Sequence, residues 1–85
     1  MLWQFTIRLK GVDIMTDDLI ESLFAAGCTD GTPTSSNGSS WIGFDREADT
    51  LDAAIRSAVA DVCRAGCTIE RIEIEHEELS QWQTA

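Results

Sequence analysis

Two segments with a period of two, one near each end of the chain, limit what this sequence can fold into. Trp3, Phe5, Ile7 and Leu9 alternate with Gln4, Thr6, Arg8 and Lys10, and near the C-terminus Ile72, Ile74 and His76 alternate with Glu73, Glu75 and Glu77. Successive side chains of a strand point to opposite faces, so each segment reads as a strand with one buried and one solvated face. The first strand shows a mildly basic outer face and the last a row of carboxylates. Half-buried strands need a second layer over their apolar side.

The intervening residues supply that layer. Gly11 ends the first strand. Thr16 is placed as a helix N-cap, with Asp17 and Asp18 in the first turn against the positive end of the helix dipole. Met15 and Ile20 occupy the positions of a hydrophobic staple, Leu19, Ile20, Leu23 and Phe24 make one apolar face, and Gly27 is a stop. A second helix, capped by Asp49 or Thr50, runs to about Ala65. Its stripe is Leu51, Ile55, Ala58, Val59 and Val62, with Ala54 allowing close approach and Gly66 ending the helix.

Between the helices, Gly31 and Pro33 suit an edge strand, and Asn37-Gly38 signals a tight hairpin that returns through Ser40 to Phe44. Ile42 and Phe44 share one face of the returning strand and Trp41 takes the other. Ile69 is out of parity with Ile72 and Ile74, which predicts a bulge near Glu70-Arg71. The order β-α-β-β-α-β, with both helices on one sheet face, predicts an α+β, ferredoxin-like split βαβ two-layer sandwich with an antiparallel-type sheet. One domain is expected over residues 1–79, with 80–85 as a C-terminal tail. The first and last strands are neighbours in this topology, which brings Arg8 and Lys10 toward the glutamates.

Composition narrows the partners. With 15 Asp+Glu against 6 Lys+Arg the net charge is −9, yet 44% of residues are apolar, enough for a packed core. Such a chain is repelled by nucleic acid and by anionic membranes, so neither is an expected direct partner. Its electrostatic complement is a basic protein surface. Cys28, Cys63 and Cys67 lack the even, dense spacing of a secreted disulfide framework, and the N-terminus has no signal-peptide pattern; both point to a cytoplasmic protein.

Catalytic readings fail for want of the residues they need. A glycosidase pair requires a cleft and a fixed carboxyl separation, which a flat strand face does not provide. Asp45-x-Glu47-x-Asp49 lacks the central Gly and distal Glu of a calcium loop. Cys63, Cys67, Cys28 and His76 lack the paired spacing of a zinc site and read as small buried thiols near a helix end. The serines around Asn37-Gly38 lack the phosphate-loop pattern. The expectation is therefore a protein without catalytic residues, metal or cofactor.

The acidic row remains. Glu70, Glu73, Glu75, Glu77 and Glu78 cluster in the last strand, and Asp30, Asp45, Glu47 and Asp49 add acid elsewhere. Such a row keeps an edge strand soluble; it also matches a groove of Arg and Lys built to follow phosphates. With Trp41 and Trp82 as aromatic anchors, these glutamates are the expected partner-binding residues. The function expected is a non-enzymatic acidic binding module, an inhibitor or antitoxin-like nucleic-acid mimic (an anti-CRISPR type is one version). Its partner would be a basic surface on a nucleic-acid-handling protein, as in small phage or mobile-element inhibitors. The alternative is a dimerisation or sensor module, acting as a homodimer through its sheet edges or Trp41.

Three stretches also carry a family resemblance: Ala25-Ala26-Gly27-Cys28-Thr29-Asp30-Gly31, then Ile42 to Ile55 with its Phe44-Asp45-Arg46-Glu47-Ala48 link, then Ser57 to Val62 with Ala65-Gly66. They resemble a small bacterial module that stands ahead of a helix-turn-helix in proteins described as DNA-binding. The resemblance covers most of residues 3 to 79 and implies the same ferredoxin-like fold. The helix-turn-helix itself is absent from these 85 residues, so DNA binding is not carried over.

Overall fold

A computed structural model gives the fold of residues 1–74 as β1 (Leu2–Leu9), α1 (Asp17–Ala26), β2 (Gly31–Ser36), β3 (Ser39–Glu47), α2 (Leu51–Arg64) and β4 (Ile69–Ile74). The strands form one antiparallel sheet in the order β2-β3-β1-β4, the ferredoxin-like split βαβ arrangement. β1 and β3 are the two central strands, and β1 is hydrogen-bonded to β3 on one side and to β4 on the other. It pairs with β3 from Leu2↔Glu47 to Leu9↔Ser40 and with β4 from Phe5↔Ile74 to Leu9↔Ile69. The register shifts between Arg8 and Leu9, so Glu70 is the extra residue of the expected bulge.

The core lies between the sheet and the helices. β1 contributes Trp3, Phe5, Ile7 and Leu9, β3 contributes Ile42 and Phe44, and α2 contributes Leu51, Ala54, Ala58 and Val62. Phe5 and Phe44, directly opposite in register, stack with centroids 5.4 Å apart. The alanines of α2 let its backbone approach the sheet. Ile55 and Val59 are only half-buried, flanking the stripe.

Both helices start as their sequences dictate. Thr16 Oγ1 accepts from Leu19 N at 3.2 Å, and Thr50, rather than Asp49, accepts from Ala53 N at 3.1 Å. α2 ends with Gly66 in the left-handed region (φ 90°), where Gly66 N donates to Cys63 O and Cys67 N to Val62 O. The hairpin turn has Asn37 at φ 51° and Gly38 at φ 75°, the paired positive angles that match the twist of two antiparallel strands.

One element differs from expectation. Phe24 is 44% exposed, not part of the covered face of α1. Only the Leu19–Leu23–Ala26 side of that short helix turns to the core, with Leu23 fully buried, and Phe24 lies past its margin. Among the described residues no helix is long and apolar enough to cross a membrane.

Candidate interface on the open face of the sheet

Both helices pack on the same side, so the register decides what the other side displays. Three cross-strand rows face outward: Thr34, Trp41, Arg8 and Arg71; then Thr32, Gly43, Thr6 and Glu73; then Asp45 beside Gln4. Trp41 is half-buried and lies on this face, as its parity requires. The Arg8 guanidinium sits 4.8 Å from the centroid of its ring.

Glu73 does not stand free as one of a row of available carboxylates. Its Oε2 accepts from Arg8 Nε at 2.9 Å and from Arg71 Nε at 3.1 Å. The hydrogen bond from Arg8 is the main reason its carboxyl lies below the ordinary range. Glu73 sits opposite Thr6, so Arg8 is its diagonal neighbour across an antiparallel pair, within reach of a long side chain. Glu70, at the bulge, is exposed and has no cationic partner among the described residues. Glu75, Glu77, Glu78 and Trp82 lie outside the described residues.

A second charged cluster lies on the covered face. Arg46 follows Ile42 and Phe44 at the same parity, so β3 points it into the core, where it is 8% exposed. Its Nε and Nη2 bind Asp30 at 2.8 Å each, Nη1 binds Asp61 Oδ2 at 2.9 Å and Ser57 Oγ at 3.1 Å, and Nη2 also donates to Gly27 O at 3.1 Å. The guanidinium lies 5.1 Å from the Phe44 centroid. Bonding to Arg46 holds the Asp30 carboxyl below its ordinary value, and the pair with Asp30 raises Arg46 in turn. Arg64 joins the cluster, donating to Asp61 Oδ1 at 3.0 Å and to Ala26 O at 2.7 Å. α1 has no basic residue in its own last turn; Arg46 and Arg64 bring cations to its carbonyl end instead.

Asp30 is thus consumed internally and is not part of a surface acidity. The signal was available: an arginine at the parity of two core residues must be either misplaced or paired. The cysteines are also divided. Cys28 is buried, its thiol pushed up to about 11 chiefly by burial and next by Asp61; burial raises Cys67 as well; Cys63 is exposed, contrary to the expectation of a buried thiol. Cys63 sits on the outward side of the last turn of α2, away from the Ala58–Val62 stripe. Among the described residues no three His, Cys, Asp or Glu side chains converge as a metal set.

The ion pairs leave an asymmetric surface. Arg8, Arg46, Arg56, Arg64 and Arg71 each hold a carboxylate, which leaves Lys10 as the only cationic side chain outside an ion pair among the described residues. Asp13, Asp17, Asp18, Glu21, Asp45, Asp49 and Glu70 have no such partner there. A polar recess of about 120 Å³ at one end of the sheet brings Arg8 and Arg71 together with Asp13 and Glu70, mixed charge that suits no simple anion. Comparison with protein families, curated proteins and solved structures found no match.

Proposed function

We propose that this chain is a non-enzymatic acidic binding module that occupies a basic surface of a nucleic-acid-handling protein, as an inhibitor or nucleic-acid mimic of the antitoxin-like or anti-CRISPR kind. The observation that carries this reading is the imbalance just described. Every arginine is committed to an internal carboxylate, while seven carboxylates, Asp13, Asp17, Asp18, Glu21, Asp45, Asp49 and Glu70, have no cation among the described residues. What the surface offers to a partner is therefore negative charge, which speeds and orients docking on a basic surface. Glu73 serves the fold in this reading, and Glu70, Asp45 and Trp41 serve the partner.

A dimerisation module is the second reading. It is favoured by β4, an edge strand whose Ile72 and Ile74 are only half-buried. Sedimentation across a salt series, with and without extract from the native host, separates the two. A monomer that takes up a partner at low salt and sheds it at high salt supports the first. A homodimer indifferent to salt overturns it.

A further inference from the structure

We propose that Trp41, Gly43 and Asp45 form a receptor for one Lys or Arg side chain of the partner, an inference that rests on the acidic-module reading. These three residues follow one another on the open face of β3, which lies inside the sheet between β1 and β2. Gly43 leaves a gap there. A Cβ built on it meets nothing within 4 Å, so neither Trp41 beside it nor Thr6 and Thr32 opposite it closes over the position.

Nothing in the fold requires glycine at this site. Gly43 is not among the residues with positive φ, and glycine inside a strand weakens it unless something approaches the backbone closely. Gly31 makes the contrast: a Cβ there would meet Ile42 Cγ2 at 2.7 Å, so packing alone explains it.

The walls of the gap select a cation with an apolar stem. Trp41 stands at one end, steadied by Arg8 at 4.8 Å. Asp45 stands at the other, exposed, with no cation among the described residues and with its backbone N tied to Asp30 O at 3.2 Å. The two are about 13 Å apart along the strand at roughly 3.3 Å per residue, which accommodates an extended Lys or Arg side chain. Its methylenes would lie over Gly43 against the indole, and its charge would meet Asp45. The protein already builds this pattern from its own residues in the neighbouring row, where Arg8 lies on Trp41 and pairs with Glu73.

The test titrates the intact protein with N-acetyl-arginine amide, followed by amide NMR and by the Trp41 indole signal. Saturable shifts are expected at Gly43, Asp45 and Trp41, and none with N-acetyl-glutamine amide, which lacks the charge. Asp45→Asn should weaken binding about tenfold, the scale of one charge-assisted contact, and Gly43→Thr should weaken it by filling the gap over which the stem lies. Gly43→Thr should do so without lowering the thermal midpoint, because Thr suits a strand. No saturable shift at Gly43, or shifts centred on Asp17 and Glu21 of α1, overturns the proposal. So does binding unchanged in Gly43→Thr. Hexa-arginine peptide as a second probe tells this failure from that of the parent reading. If it binds wild type and both variants alike, only the receptor falls; if it does not bind at all, the acidic-module reading falls too.

Discussion

Arg46 and Asp30 form a two-point ion pair beneath the sheet, with Arg46 Nε to Asp30 Oδ2 and Nη2 to Oδ1 both at 2.8 Å. The same guanidinium ties Asp61 of α2 and the carbonyl of Gly27 after α1, so one side chain of β3 joins both helices and the loop before β2. A planar fork with five donors suits this task, and an ammonium does not.

Removing Arg46 should therefore be among the most damaging single changes to this protein. Arg46→Met strips Asp30 and Gly27 O of their guanidinium donor and leaves Asp61 with Arg64 alone, and is expected to cost about 3–5 kcal/mol, the usual penalty for stripping one partner from a buried pair. Arg46→Lys should recover only part of the loss. Urea unfolding midpoints of the two variants measure it; an Arg46→Lys midpoint equal to wild type would show that the fork geometry is immaterial.

Acid should weaken the same contact. The folded Asp30 carboxyl lies below its ordinary value of 3.8, chiefly through its hydrogen bond from Arg46. A depressed carboxyl contributes stability in full well above that value and loses it as pH falls through 3.8 toward the lower folded value. Unfolding free energy followed from neutral to acid pH should fall more steeply for wild type than for Asp30→Asn over that window. Parallel curves would contradict the assignment.

Gly27→Ala should destabilise for two reasons at once. Gly27 has φ 120°, and an added Cβ would lie 2.8 Å from Asp61 Oδ2, displacing a carboxylate that Arg46 holds. Backbone strain alone is expected to cost about 1–3 kcal/mol. Gly11→Ala, also at positive φ but with nothing within 4 Å, should cost less. Thermal melts of the pair test the ordering.

On the open face, Arg8→Ala removes the cation over Trp41 and one of the two donors to Glu73. A loss of about 0.5–1 kcal/mol is expected from the cation–π contact, together with a shift in tryptophan emission. An unchanged emission spectrum would mean that the stacking does not persist in solution.

Thiol reagents should distinguish the cysteines. Cys63 is exposed, Cys67 is half-buried with a raised thiol, and Cys28 is buried with its thiol pushed up to about 11. One rapid modification at Cys63, a slower one at Cys67 and protection of Cys28 until unfolding are expected, because only the thiolate reacts. Mass spectrometry after brief alkylation reads the order directly.

Periodicity determined most of the architecture. Trp3 to Leu9, the Thr16 and Thr50 caps, the Asn37-Gly38 turn, the stripe of α2 and the bulge at Glu70 were all legible, because side-chain direction follows backbone period and caps act within a few residues. Ionic partnership was not. Glu73 is neutralised by Arg8 across 65 positions of sequence, and Arg46 finds Asp30 and Asp61 across 16 and 15. A sequence lists charges, but only strand order and register decide which of them meet, since Coulomb attraction and hydrogen bonding depend on distance in space. Among the described residues, tertiary structure thus ties Glu73 of the glutamate row to Arg8 and Arg71 and leaves Glu70 beside it without a cation. It also exposed the gap at Gly43, which an isolated glycine in a sequence does not reveal.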